Sequence, residues 1–135
     1  MAKLVDFYNR FHKVTVVQKK LVTKRNFTYR HVFSALEGAH LRNNLKVLDY
    51  GCGSGTVSFY LANLGNNVTG VDISSDAVKI AKESAKQIGL GNLVKFYTVD
   101  SGNDKIKNHS FDLIICIEVI EHVKKDKNLI KFLSK

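Results

Sequence analysis

Apolar residues recur along the chain with two different periods, and the alternation of these periods predicts the fold class. Runs with the length and composition of strands occur at 46–50, 68–71, 93–99 and 111–117. Elsewhere apolar residues recur every three or four positions, which predicts helices over 56–64, from 74 or 75 to 88, and over 128–133. Strands that alternate with helices in this way are typical of an α/β fold with a parallel sheet.

The order of the strands follows from the handedness of their connections. Right-handed crossovers place the four parallel strands in the order 3-2-1-4, which is a Rossmann-like, doubly wound sheet. The fourth strand then lies at an edge, and its apolar sequence FDLIICI favours a homodimer that pairs through it. We expect a helical N-terminal cap over 1–44 and the Rossmann-like domain over 45–135.

The N-terminal part is predicted to be mainly helical. Apolar residues at 4, 7, 8 and 11 form one stripe of a first helix. Asn26 or Thr28 is a suitable N-cap for a second helix that ends near Leu41. The residues expected on the inner side of this second helix are Val32, Phe33, Leu36 and His40.

A glycine-rich loop follows the first predicted strand and marks the candidate site. Gly51, Gly53 and Gly55 permit backbone conformations with positive φ and the close approach of a ligand. Asp72 follows the second strand, 21 positions after Gly51. In nucleotide-binding βαβ units an acidic residue about that far along accepts hydrogen bonds from ribose hydroxyls. The unit is therefore predicted to bind a ligand that carries a ribose.

The spacing of the glycines separates two classes of cofactor. A dinucleotide fingerprint would place its third glycine at position 56, where this chain has Thr56. The chain instead reads D-x-G-x-G-x-G from Asp49, and further motifs follow in order: V-T-G-V-D-I-S at 68–74, Val99-Asp100, F-D-L-I at 111–114 and E-V-I-E-H-V at 118–123. With these motifs the chain resembles the class I S-adenosylmethionine-dependent methyltransferases from about residue 45 to its end.

The resemblance implies S-adenosylmethionine as the cofactor and assigns roles at the strand ends. The glycine loop and Asp49 would hold the methionine end, Asp72 the ribose, and Asp100 the adenine. Plain capping of a strand end is the alternative role for each of these aspartates. The full set of cofactor-binding residues implied by the resemblance is Asp49, Gly51, Cys52, Gly53, Gly55, Asp72, Ile73, Asp100, Ser101 and Glu118.

The acidic and histidine residues of the last motif are the candidates for catalysis. His122 is the candidate general base, because imidazole exchanges protons readily near neutral pH. Glu118, Glu121 and His122 also match the E-x-x-E-H pattern of metal-assisted O-methyltransferases of ubiquinone biosynthesis and of small RNA ends. Lys125 stands where those RNA enzymes have an additional histidine. We expect cofactor contact and packing here, without a bound metal.

In the resembled family, N-terminal helices lie over the cofactor and line the acceptor pocket. This makes Tyr8, His12, Phe27 and Tyr29 candidates for the pocket. Packing in the core is the alternative for all four, since aromatic residues at helical spacing are usually buried.

Charge and composition limit which partners and which cellular location we expect. The chain of 135 residues has a net charge of +9, of which +8 lies in residues 1–46. A basic segment suits nucleic acid, but no groove-reading motif accompanies it, so an RNA partner is not favoured. Two cysteines, no long apolar run and no signal-peptide core lead us to expect a cytoplasmic protein that does not span a membrane.

The expected function is methyl transfer from S-adenosylmethionine to an oxygen or nitrogen of a small-molecule acceptor. The alternatives are a cofactor-binding fragment without activity of its own, an NAD-binding Rossmann domain, and an RNA methyltransferase. The fragment alternative arises because the resembled family continues with further strands where this chain, which has no proline, ends at Lys135.

Overall fold

The computed structural model describes residues 27–99, 106, 110–122 and 126–133. In chain order the elements are α1 (Phe27–Gly38), β1 (Lys46–Tyr50), α2 (Thr56–Asn63), β2 (Asn67–Asp72), α3 (Ser75–Gln87), β3 (Val94–Thr98), β4 (Leu113–Cys116), a 3-10 turn (Ile120–His122) and α4 (Asp126–Leu133). Several predictions lie outside the described residues: the first N-terminal helix with Tyr8 and His12, the side chain of Phe27, and the two residues Asp100 and Ser101.

The four strands form one parallel sheet in the order β3-β2-β1-β4, which confirms the predicted topology. Val47 of β1 pairs with Val68 on one side and with Leu113 on the other. Asp112 fastens β4 to the start of β1, because its N–H donates to Lys46 O at 2.8 Å and its Oδ2 accepts from Lys46 N at 2.8 Å. Strand β4 is shorter than the apolar run that predicted it.

Helix α2 is buried on every side. All residues from Thr56 to Ala62 are buried. Phe33 of α1 packs against Tyr60 of α2 with ring centroids 4.4 Å apart, so α1 covers a second side of this helix. Apolar residues around the whole circumference are what such a helix requires.

Helix α1 packs into the same core as the sheet. Phe33 is 1% exposed, and Val32 and Leu36 are partly buried against the core cluster, as predicted. The inward placement of His40 is wrong. This residue lies in the turn after α1 with φ 46°, and its side chain is exposed, because the helix ends at Gly38 before reaching it.

Helix α3 begins and ends as the sequence predicts. Ser74 is the N-cap, and its side chain accepts a hydrogen bond from Ala77 N at 3.2 Å. Gly89, with φ 74°, follows the C-cap residue Ile88 and ends the helix in the conformation that glycine favours. The residues that the helix buries are Val78, Ala81, Ser84 and Ala85.

Neither cysteine is paired within the part of the chain that the structure describes. Cys52 is buried and Cys116 is half-buried, and both are free thiols. In the same ranges of residues, no helix combines the length and the apolar character needed to cross a lipid bilayer.

Candidate functional site

The glycine loop after β1 is held by the end of β2. Gly51, Gly53 and Gly55 all have positive φ, at 81°, 52° and 92°. The N–H groups of Gly51 and Cys52 both donate to Val71 O, at 2.8 and 3.0 Å. The loop closes on itself through the Gly55 N–H, which donates to Cys52 O at 2.9 Å. The loop therefore has one fixed shape between the two strand ends.

The three glycines of the loop are needed for different reasons. A Cβ on Gly51 would overlap Val119 Cγ2, and a Cβ on Gly55 would lie 2.9 Å from Phe96 Cζ. A Cβ on Gly53 would meet no protein atom within 4 Å among the described residues. Packing within the protein accounts for the first and third glycines, and only Gly53 leaves open space where a ligand can approach the backbone.

Asp72, at the end of β2, connects the glycine loop to helix α3. Its Oδ2 accepts from Gly53 N at 2.7 Å, and its Oδ1 accepts from Ser74 N at 2.8 Å. The carboxylate is half-buried. Two carboxylate oxygens offer about four acceptor positions, so these two bonds leave capacity for two further donors such as a pair of ligand hydroxyls.

Asp49, near the end of β1, is 3% exposed and lies beneath the loop. Its Oδ2 accepts from Ser58 Oγ at 2.6 Å. Burial raises the pKa of Asp49 to about 6; hydrogen bonds from Ser58 partly offset this shift, and the nearby charge of Asp72 adds to it. Sequence reasoning missed Ser58, although a serine inside the apolar run of α2 was the available signal.

The side chain of Cys52 points into the core rather than toward a ligand. It is 8% exposed, and its sulfur would lie 3.0 Å from a Cβ built on Gly70. Burial, followed by the charges of Asp49 and Asp72, raises the pKa of the thiol, so it is a poor nucleophile. A cofactor contact from Cys52 would come from its backbone.

The loop after β4 brings the residues of the last motif to the same edge of the sheet. Glu118 has φ 53° and is exposed, and the exposed side chains of Glu121 and His122 belong to the 3-10 turn. Val119 contacts Gly51, which joins this loop to the glycine loop. Within the described residues, no three His, Cys, Asp or Glu side chains are grouped as metal ligands.

Ile73 and Tyr29 are two further described residues near the site. Ile73 follows Asp72 and is 81% exposed, an unusual degree of exposure for a large apolar side chain. Tyr29 reaches the site from α1. Burial, and then the charges of Asp49 and Glu118, raise the pKa of its phenol, while the nearby Thr56 side chain lowers it slightly. Tyr29 thus lies near Asp49, Glu118 and Thr56.

The arrangement fits a ligand that carries both hydroxyl groups and positive charge. Asp72 has spare acceptor capacity at the ribose position predicted from the sequence, and Gly53 leaves room beside it. Asp49 and Glu118 add negative charge at the same edge, where positive charge on a ligand would be favoured. In an open parallel sheet, this carboxyl edge at the strand-order reversal is the usual place for a ligand.

Comparison with known families agrees with the fold. Residues 41–134 match the model of a family described as "Methyltransferase domain". The chain belongs to this methyltransferase domain family.

Individual proteins resemble parts of the chain. A "Ubiquinone biosynthesis O-methyltransferase" from Glaesserella parasuis is 39% identical over 92 residues, which cover 64% of this chain and 38% of that protein. Among solved structures, a Pyrococcus horikoshii protein superposes with a TM-score of 0.66 at 30% identity, covering 93% of this chain and 57% of the other. A TehB-like SAM-dependent methyltransferase from Corynebacterium glutamicum gives a TM-score of 0.55 at 26% identity and covers 73% of this chain and 55% of the other.

The chain spans less than half the length of the curated relatives it matches. The first two of them are covered over 45% and 38% of their lengths. The part of this chain that matches the family model, residues 41–134, contains the glycine loop and the four described strands.

Proposed function

We propose that this chain binds S-adenosylmethionine at the carboxyl edge of its sheet and is the cofactor-binding part of a small-molecule methyltransferase. The observation that carries the proposal is the double hydrogen bonding of Asp72 to Gly53 N and Ser74 N. Through it, one carboxylate fixes the glycine loop and still presents acceptors for two ribose hydroxyls. The open space at Gly53 supports placing the methionine end of the cofactor there, and the exposed Ile73 supports placing the adenine end beside it. Asp100 and Ser101 are proposed as further cofactor contacts on sequence grounds.

Bound S-adenosylmethionine supplies a methyl group activated by a sulfonium, so much of the catalysis is positioning. The described residues orient the cofactor through Asp72 and the loop and favour its positive charge through Asp49 and Glu118. His122 is proposed as the base for an acceptor that must lose a proton. Its exposure at the end of the β4 loop leaves it accessible from solvent.

The acceptor is proposed to be a small molecule that is methylated on oxygen or nitrogen. The name of the Glaesserella parasuis relative, a ubiquinone biosynthesis O-methyltransferase, supports oxygen. An RNA acceptor would have to bind through the basic residues of the N-terminal segment, and its affinity should then fall steeply with salt. Nothing in the described site favours RNA or a dinucleotide over S-adenosylmethionine.

Isothermal titration calorimetry with S-adenosylhomocysteine and with NAD tests the cofactor assignment. We expect S-adenosylhomocysteine to bind and NAD to bind at least about tenfold more weakly, a difference of about 1.4 kcal/mol. Tighter binding of NAD would replace the proposal with the dinucleotide alternative. Binding of neither ligand would remove it.

A second candidate is a cofactor-binding unit without turnover of its own. It is favoured by the length comparison, because over half of each of the first two relatives is unmatched by this chain. Adding the part of a relative that this chain does not match as a separate polypeptide, and assaying methyl transfer, distinguishes the two. Turnover by the chain alone would contradict this second candidate.

We propose further that β4 forms a homodimer contact. Within the described sheet β4 pairs on one side only, with β1, so its other edge can pair with a second copy. Sedimentation equilibrium should then give twice the monomer mass, and a monomer at high concentration would contradict the contact. A cytoplasmic location is proposed with it, supported by the two free thiols.

A further inference from the structure

An open cavity lies at the amino ends of the strands, at the opposite end of the sheet from the glycine loop. Its volume is about 420 Å³, which is within the range of small-molecule sites. Residues of β1, β2 and β3, and the residues just before β4, form its wall. We call it the amino-end cavity. The proposed cofactor site at the carboxyl edge makes no use of it.

Four polar side chains of the amino-end cavity project from one face of the sheet. In the parallel registers Lys46 pairs with Asn67, and Thr69 pairs with Lys95. Paired residues of neighbouring strands point to the same face, and so do residues two positions apart on one strand. The four side chains therefore form one polar group that crosses β1, β2 and β3.

The same face of the sheet is apolar further along the strands. Leu48 of β1 and Val71 of β2 are 2% and 0% exposed and belong to one core cluster. Strands of a parallel sheet are normally apolar throughout, because both faces are covered. Two lysines, an asparagine and a threonine at the amino end break this pattern. The polar group thus marks a place where the sheet faces water or a polar ligand.

The two lysines stand on either side of β2. Two strand spacings and an offset of two residues place their Cα atoms about 12 Å apart, which their flexible side chains can close around one group between them. Among the described residues no carboxylate forms an ion pair with Lys46 or Lys95. Asp112 is near, but its Oδ2 accepts from Lys46 N at 2.8 Å. The two ammonium groups are therefore available to an anion.

The rest of the wall combines further hydrogen-bond donors with apolar surface. Asn92 adds an amide and Ser110 a hydroxyl, while Val68, Leu93 and Phe111 are apolar and at least half-buried. Lysine is a common binder of phosphate, whose several oxygens can accept from many donors at once. A cavity of about 420 Å³ is also much larger than a phosphate ion. The apolar surface thus suits a larger molecule that carries the anionic group.

We propose that the amino-end cavity binds a small molecule that has a phosphate group and an apolar body. The phosphate lies between Lys46 and Lys95 and accepts from both ammonium groups, and the apolar body packs on Val68, Leu93 and Phe111. This site is separate from the proposed cofactor site, since the two lie at opposite ends of the strands. Both ligands can therefore bind at the same time.

Titration with phenyl phosphate, followed by the amide chemical shifts in NMR spectra, tests the proposal. We expect a Kd of about 1 mM or below. The shifts should change at residues 67–69 and 93–95 rather than in the glycine loop. Lys46→Gln and Lys95→Gln should each weaken binding about tenfold, as expected for a hydrogen bond between charged groups. Both lysines are exposed, so the variants should keep the fold.

Lys82→Gln is the matched control. It removes the same charge from a chain of net charge +9, but Lys82 is exposed on α3, whose buried side packs on the other face of the sheet with Val94 and Phe96. Its affinity for phenyl phosphate should equal that of the wild type. The affinity for S-adenosylhomocysteine should stay unchanged in all three variants, so the outcome is independent of the proposed function.

Three results would overturn the proposal. An equal loss in Lys82→Gln and in the two cavity variants would show attraction by the net charge alone. Inorganic phosphate or benzoate binding as tightly as phenyl phosphate would contradict the apolar body or the phosphate, respectively. The absence of shift changes at residues 67–69 and 93–95 would mean that the amino-end cavity is only a solvated end of the sheet.

Discussion

The loops that follow β1 and β4 meet at the same edge of the sheet, yet the protein holds them very differently. The β1 loop is fixed by bonds from Gly51 and Cys52 to Val71 and from Gly53 to Asp72. In the β4 loop the described backbone bond runs from His122 N to Val119 O at 2.9 Å, and the charged side chains are exposed. The two loops touch where Val119 covers Gly51.

This difference separates two tasks of the site. A loop that is built to shape before the ligand arrives loses little conformational entropy on binding, which suits recognition of an unchanging cofactor. A loop whose functional side chains project into solvent can adapt to different acceptors. The comparison predicts that substitutions in the β1 loop change stability and cofactor affinity, while substitutions of the exposed Glu121 and His122 in the β4 loop change neither.

Gly55→Ala should have the largest effect. The new Cβ would require a backbone with φ 92° and would lie 2.9 Å from Phe96 and 3.0 Å from Phe59, two buried rings. Strain and overpacking together should lower the free energy of unfolding by about 3 kcal/mol, measured by urea denaturation. Gly53→Ala is the control. It adds strain but meets open space, so its cost should be about 1 kcal/mol, and equal losses would contradict the distinction between the two glycines.

Asp49→Asn should change how stability depends on pH. The pKa of Asp49 is raised from its ordinary 3.8 to about 6 in the folded protein, so between these values the folded state binds more protons than the unfolded state. The free energy of unfolding should therefore fall by about 2 kcal/mol as pH rises from 4 to 6, and Asp49→Asn should abolish that fall.

Urea denaturation at a series of pH values measures this dependence. Asp76→Asn serves as the control, because Asp76 is an exposed carboxylate in the first turn of α3 and its replacement should leave the fall in place. The same slope in Asp49→Asn and in the wild type would show that Asp49 is not the group responsible.

Asp72→Ala should weaken S-adenosylhomocysteine binding by at least about tenfold, or about 1.4 kcal/mol. It removes the acceptors for the ribose and releases Gly53 N and Ser74 N. Asp76→Ala, on the next helix, provides the comparison in calorimetry and should keep the wild-type affinity. Unchanged binding in Asp72→Ala would remove the ribose assignment and, with it, the proposed cofactor.

His122→Gln should have the smallest effect. The side chain is exposed, so the free energy of unfolding should stay within about 0.5 kcal/mol of the wild type, and S-adenosylhomocysteine affinity should not change. A loss of more than about 1 kcal/mol would mean that the β4 loop is held as firmly as the β1 loop.

The strand order and the main elements could be predicted because they depend on local patterns and on the handedness of crossovers. The pattern in 46–50 matched β1 to the residue, and the predicted start of a helix at 74 or 75 agrees with the first residue of α3, Ser75. The all-round burial of α2 and the exposure of His40 were not foreseen, since both depend on where α1 lies and ends.

The ligand-facing geometry was only partly predictable. Asp72 and the glycines follow from spacing, but the separate reasons for Gly51, Gly53 and Gly55 depend on Val119 and Phe96, which approach from distant parts of the chain. The bond from Ser58 to Asp49 requires three-dimensional positions that no spacing rule supplies.

The two bonds between Asp112 and Lys46 have a consequence for the order of folding. They join residues 66 positions apart, whereas Leu45 N reaches Asn66 Oδ1 over 21 positions. Closing the longer loop costs about 1 kcal/mol more chain entropy, and among the described strands β4 pairs with β1 alone. We therefore expect β1, α2 and β2 to assemble first and β4 to dock onto them late, with the amide protons of β4 exchanging with solvent before those of β1.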